Sequence, residues 1–435
     1  MSGPILHTGA DSSHVPRRTR VGPLISGTVG GVTLTAADVA APVASYAQRL
    51  HAVAGARHHV ASPLGAWLLL ALCAPAATGE TLDRLNAIIG CTADSAAELA
   101  AGLLARPHPA VPAAAAAWHR RGTITDSASH WLAGLPPEVE TGPLPGQAAL
   151  DDWARRHTSG LIDSFPVRVD PALSLLVATA LATKVSWERP FDLAPAGALG
   201  AQSPWAASLT QVLRTPNGPG HQQFVAATRA GDVAVQAARA REGLLVVSVA
   251  AAPEVPPGDV LAVAYDLATA LGSAGPVTRR SLFDLPLGET PLWTVTEQTA
   301  MIHTAREERC TAVLPAWSAR SELDLTQPDL GFGLAAQALA PGDPWQARQA
   351  AVARYDRVGF EAAAVSALAV ALSARVPQRG VLRTAELRFG HPYAVVAVAV
   401  PHVTGPERRS PGPPGSAWDG LPVFSAWVAQ PQDAV

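Results

Sequence analysis

Lysine is nearly absent from this 435-residue chain: Lys184 is the only one, and every other basic side chain is an arginine or a histidine. Charge of any kind is scarce, at 15% of residues against 48% hydrophobic, and the formal net charge of -3 comes without a block of like sign. Such a surface lacks the footprint that a nucleic acid or an anionic membrane requires, so neither is expected as a partner. Cysteine is scarce too. Cys73, Cys91 and Cys310 are odd in number and far apart, which excludes a disulfide framework and a cysteine metal site. Cys73 lies in the apolar run 65–77, where an inert buried thiol is expected. That run is the longest candidate for a membrane span and is too short for one. Missing as well are a G-x-S-x-G elbow, a P-loop, an H-E-x-x-H pair and a dinucleotide fingerprint, so no enzyme chemistry, metal or cofactor is expected. His58 and His59 are adjacent, but with no carboxylate or cysteine nearby they read as surface or cap residues rather than ligands.

The N-terminus carries Arg17-Arg18 ahead of a weakly apolar stretch, 21–34. Its glycines and hydroxyl residues make it a poor export signal. Residues 1–32 read as a disordered leader, and the expected location is the cytoplasm, with export as the alternative.

What is present is a long, core-rich pattern without a clean domain boundary. Val39, Val43, Tyr46, Leu50 and Val53 share one helical face over 35–53. Ser62-Pro63 opens a second helix that is apolar all round, as for a helix buried in a large core. A third runs from 79 to Gly90, and a fourth from 147 to a left-handed stop at Gly160. The run 174–182 predicts a fully buried central strand, and 244–249, 393–400 and 423–428 predict further strands. Alanine, proline and glycine are too dense in 106–146 for its elements to be placed.

Several separated segments, in order, resemble the serpin family. Ala61-Ser62-Pro63-Leu64 followed by Leu68 to Ala71 resembles its "SPxSIxxALxML" helix. Gly79-Glu80-Thr81 resembles the "GxT" that follows, and Trp153, Thr158, Gly160 and Ile162 the helix that crosses the main sheet. Lys184, Trp187, Pro190 and Phe191 resemble "FKGxWxxPF", and Leu314-Pro315-Ala316-Trp317 resembles "LPxF". Phe389 to Tyr393 and Pro422 to Pro431 resemble the two C-terminal signatures. The resemblance spans 33–431. It implies an α+β fold: one domain over 33–435 with three β-sheets, about eight or nine helices, and a reactive loop at about 359–388 near the C-terminus.

The hinge of that loop is Gly359-Phe360-Glu361-Ala362-Ala363-Ala364-Val365-Ser366, which resembles "GTEAAAAT". The resemblance implies that, once a target protease cuts the loop, this segment slides between two strands of the main sheet. Small side chains are needed because every second one must enter the core. From 366 to 372 Ser366, Leu368, Val370 and Leu372 alternate with alanine, the period of a strand with one core face. The expected function is inhibition of a serine (or cysteine) endopeptidase by a monomer. Arg379, Gly380 and Arg383 are the candidates around the scissile bond for a trypsin-like partner. Lys184, Trp187, Ser62 and Gln349 are the candidates for the region where the sheet opens, with Gly65 and Thr179 at neighbouring positions. Two departures favour an alternative, a non-inhibitory binding or interaction protein. Arg357 stands where the family has an acid, and Phe360 where it has a small residue.

Overall fold

Val39, Val43, Tyr46 and Leu50 are fully buried along one side of helix α1 (Ala36–Ala54), as their spacing predicts. This is a computed structural model that describes residues 36–120, 122, 124–183, 186–343, 345–359, 377–401 and 417–435, all within the compact unit Thr35–Val435. The leader expected over 1–32 lies outside the described residues. Strand β1 (His59–Ala61) leads into α2 (Pro63–Cys73), which Ser62 caps by accepting the Gly65 N–H at 3.2 Å. Next come α3 (Gly79–Ile89), stopped by Gly90 at φ +86°, and α4 (Ala93–Ala105), a helix that the sequence pattern did not single out.

The segment that composition left unassigned holds β2 (Ala113–His119), α5 (Asp126–Ala133) and β3 (Val139–Pro143). Five consecutive alanines, Ala113 to Ala117, are strand residues even though alanine is the best helix former. The tertiary ladder decides here. β2 is paired along its whole length with β4 (Leu175–Leu181) and over five residues with β3. Between them in sequence lies α6 (Gln147–His157), whose C-terminal turn ends at Gly160 with φ +77°.

The rest of the chain is mostly strand. β5 (Asp192–Pro195), β6 (Gln211–Arg214), β7 (His221–Thr228), β8 (Gly231–Arg239) and β9 (Leu244–Ala250) precede α7 (Pro257–Gly272). β10 (Gly288–Glu289), β11 (Trp293–Ile302), β12 (Arg306–Leu314) and β13 (Trp317–Asp324) lead to α8 (Phe332–Leu339) and β14 (Arg348–Tyr355). β15 (Gln378–Arg388), β16 (Tyr393–Ala399) and β17 (Pro422–Val428) close it.

Two sheets have six strands each, in the orders β1-β17-β16-β9-β8-β7 and β10-β11-β15-β12-β6-β5. The first packs on α7 through Val247, Val249, Val396 and Val398, forming the main core. Contact there is close enough to exclude any side chain at Gly272, where a Cβ would lie 2.9 Å from the Cα of Gly420. Two smaller sheets, β3-β2-β4 and β13-β14, share no ladder. The result is an α+β fold with eight α-helices among the described residues. No single described helix is long and apolar enough to cross a membrane.

Candidate functional site

β4 and β14 line one cavity of about 170 Å³, yet they share no ladder. The expected central strand 174–182 is therefore a lip. β4 is paired on its β2 side only, and its residues alternate between buried and half-buried. The two lips run the same way, from an end marked by Ser174 and Asp343 to an end marked by Trp187 and Val358. Trp153, Ala154, Thr158, Ile162 and Phe165, from α6 and the turn beyond it, line one wall of the cavity. Ser62, Gly65, Ala66 and Leu69 of the α2 region line another. A second cavity of about 100 Å³ continues the gap near Thr183, Trp187, Val352 and Tyr355. Among the described residues no strand is laddered to the facing edges of β4 and β14, the edges to which a further strand could be added.

Three sets of bonds hold the lips in place. At the foot, Ser174 Oγ donates to Asp343 Oδ2 at 2.6 Å. In the middle both lips are tied to the start of α2 rather than to each other. Thr179 Oγ1 on β4 donates to Gly65 O at 2.7 Å. On β14, the Gln349 side chain accepts from Ser62 N–H at 2.9 Å and donates to Ser62 O at 2.8 Å. Ser62 Oγ in turn donates to Val423 O on β17 at 3.0 Å.

At the head, the Trp187 and Phe191 N–H groups donate to Val358 O at 3.3 Å and Arg357 O at 2.9 Å. The Trp187 indole N–H donates to Asp356 O at 2.9 Å. Its ring packs against Tyr355 and Phe191 with centroids 4.8 and 5.9 Å away. Asp356 Oδ1 accepts from the N–H groups of Val358 and Gly359, and its other oxygen pairs with Arg354 at 2.7 Å. Gly359 itself has φ +82° and bridges to Ser186. Glycine takes that left-handed backbone without strain. Arg357 has a bond of its own, from Nε to Phe191 O at 3.2 Å.

Of the residues expected at the opening region, Ser62 and Gln349 are bonded to each other at the middle tie and Trp187 lies at the head. Lys184 and the hinge residues Phe360, Glu361, Ala362, Ala363, Ala364, Val365 and Ser366 lie outside the described residues. The scissile candidates need correcting. Arg379, Gly380 and Arg383 are strand residues of β15, not loop-tip residues. Arg379 and Gly380 are paired with Met301 and Ala300 of β11, and Arg383 is paired on both sides, with Glu297 and Glu308. A Cβ on Gly380 would lie 2.7 Å from Thr304 O. The Arg383 guanidinium bonds Glu297 at 2.8 Å and Leu282 O at 2.7 Å, over the Phe283 ring. Backbone held in a ladder is a poor protease substrate.

His58 and His59 also part company. His58 is half-buried, whereas His59 is buried, contrary to the surface or cap reading. No group of metal-ligating side chains occurs among the described residues. Asp343 and Asp356 escaped the sequence reading because nothing local marks them. Asp343 meets a partner 169 residues away.

The sequence matches no family model and no curated protein. The fold does have likenesses. Tengpin, a thermophilic serpin in its native state, superposes with a TM-score of 0.58 at 12% identity, covering 90% of this chain and 93% of that one. Human thyroxine-binding globulin complexed with thyroxine gives 0.58 at 12%, covering 91% and 99%. Arabidopsis AtSerpin1, in its native stressed conformation, gives 0.55 at 16%, covering 92% and 99%. The chain has the serpin fold. At these identities the likeness establishes architecture alone, and serpin-fold proteins include both protease inhibitors and a hormone-binding globulin. In this serpin-fold chain the gap between β4 and β14 ends near Trp187 and Gly359.

Proposed function

We propose that this chain is a serpin-like inhibitor of a serine or cysteine endopeptidase, acting through cleavage of residues 360–377 and insertion of the freed strand into the gap between β4 and β14. The observation that carries the reading is the gap itself. It is lined by two strand edges that no described strand pairs with, and Gly359, at the end of the β14 side, is bridged to Ser186 on the β4 side. A strand following Gly359 would run antiparallel to both lips and could satisfy both edges. Leu368, Val370 and Leu372 share one face of that segment, and their burial contributes roughly 1.5–3 kcal/mol each. The protease acylates itself on the loop, and insertion then drags and distorts the acyl-enzyme before water can release it.

A second reading, a non-inhibitory binding protein, is favoured by Phe360. This bulky residue follows Gly359 directly and must pass a mouth already filled by Trp187, Tyr355 and Phe191. Melting of the intact and loop-cut forms separates the two. Inhibition by insertion expects the cut form to melt far above the intact one, and an SDS-stable complex with the protease. Unchanged melting in both the wild type and Phe360→Thr would leave the binding reading.

A further inference from the structure

Tyr265 of α7, Ser425 of β17, His51 of α1 and His59 of β1 form one buried hydrogen-bonded chain, each no more than 4% exposed. Tyr265 OH donates to Ser425 Oγ at 2.7 Å, and Ser425 Oγ lies 2.7 Å from His51 Nε2. His51 Nδ1 lies 2.7 Å from His59 Nε2, and His59 Nδ1 lies 2.7 Å from Arg57 O. The proton positions follow by elimination. A carbonyl only accepts, so His59 Nδ1 carries a hydrogen and a neutral His59 accepts at Nε2. His51 Nδ1 therefore donates, and His51 Nε2 accepts from Ser425, which accepts from Tyr265. The chain is full with one proton per bond. A proton added at His59 Nε2 confronts the His51 N–H directly. Added at His51 Nε2, it turns that bond round: Ser425 then accepts from both His51 and Tyr265, and its own hydroxyl hydrogen loses its partner.

Among the described residues, nothing packed around the pair offers a carboxylate to hold an imidazolium. Arg57 and His58 precede β1 and oppose a further positive charge. Asp38 of α1, Asp259 and Asp266 of α7, Arg320, Glu322 and Asp324 of β13, and Arg348 and Arg354 of β14 are exposed, while Arg49 of α1 is half-buried. α2, β16 and β17 contain no charged residue. The relay also shares its strands with the gate. β1 pairs His59, Val60 and Ala61 with Trp427, Ala426 and Ser425 of β17. The next residue, Ser62, donates to Val423 O on the same strand.

We propose that the His51–His59 pair is an acid-sensitive lock on the gate, holding β1 and Ser62 against β17 at neutral pH and releasing them in mild acid. Burial pushes the His51 ring down to about 3, and the His59 ring downward as well. The closed segment therefore refuses protons that an opened one accepts below about 6.5. Opening takes up as many as two protons, so its equilibrium rises by up to ~100-fold per pH unit as the pH falls below that value. Any effect on the gap rests on the insertion reading, whereas the lock does not.

Hydrogen exchange of the intact chain at pH 7.5 and 4.5, corrected for the intrinsic rate, tests it on 57–64 and 423–428. The expected result is a loss of protection of at least tenfold there, with β9 and the β9 side of β16 protected throughout. In His51→Gln/His59→Gln the carboxamides donate and accept without titrating, and protection is expected to be flat with pH. Unchanged protection in the wild type, equal loss in the double variant, or loss spread equally over β9 would overturn the lock. Should the double variant fail to fold, the comparison of β1–β17 with β9 in the wild type still decides. If the gate opens but a synthetic 360–372 peptide binds no faster at pH 4.5, the lock stands and the insertion reading falls.

Discussion

Gln349 and Ser62, 287 residues apart, bind each other twice: the carboxamide accepts from the serine N–H at 2.9 Å and donates to its carbonyl at 2.8 Å. The side chain imitates a strand edge. It fastens the β14 lip to the start of α2, while Thr179 fastens the β4 lip three residues further on, at Gly65. The two lips are therefore spaced by one helix turn rather than by each other.

Gln349→Ala leaves a buried N–H and carbonyl without their partner. The intact protein is expected to lose about 1–3 kcal/mol, measured as a lower urea midpoint at unchanged slope. If the gap is what the carboxamide stabilises, the loss disappears once the loop has been cut and inserted.

Trypsin is expected to make its first cut after Arg375, the only arginine within 360–377, giving fragments 1–375 and 376–435 by mass spectrometry. Arg375→Ala should slow that cut greatly, and Arg383→Ala should leave it unchanged, because Arg383 is laddered and paired with Glu297. A first cut after Arg383 would contradict this placement.

Phe360→Thr removes the bulk that must pass Trp187 and Tyr355. Relief of about 1–3 kcal/mol of overpacking corresponds to a gain in insertion rate of roughly 5- to 150-fold. The variant is expected to trap a larger fraction of attacking protease, read as SDS-stable complex per loop cut.

His221 supports the head of the gap, with Nε2 bonded to Arg189 O at 2.8 Å and Nδ1 to Gln236, which also accepts from Tyr355 OH. Burial lowers its pKa, an effect that the bond to Arg189 O only partly offsets. The folded ring stays neutral where the unfolded ring protonates. Its contribution to stability is thus complete above about 6.5 and is lost as the pH falls below that. His221→Gln, which can make both bonds, should show a smaller fall in urea midpoint between pH 7.5 and 5 than the wild type.

The sequence by itself determined whatever depends on spacing along a short stretch. The apolar stripe of α1, the cap at Ser62, the stop at Gly90 and the buried runs of β9, β16 and β17 follow from local periodicity. Ser62, Gln349 and Trp187 were singled out together only through the resemblance of their segments to a known family; that Gln349 bonds Ser62 twice is a matter of tertiary packing. Only the tertiary structure decided that Ala113 to Ala117 are strand, because alanine is neutral to its neighbours until β3 and β4 pair with it. The same holds for Arg379 and Arg383, which look like loop arginines until β11 pairs with both and β12 also with Arg383. His51, His59, Ser425 and Tyr265 carried no sign in the sequence of being one hydrogen-bonded chain. Their partners lie up to 374 residues apart, and hydrogen bonds of 2.7 Å are set by how helices and sheets pack, which no local pattern encodes.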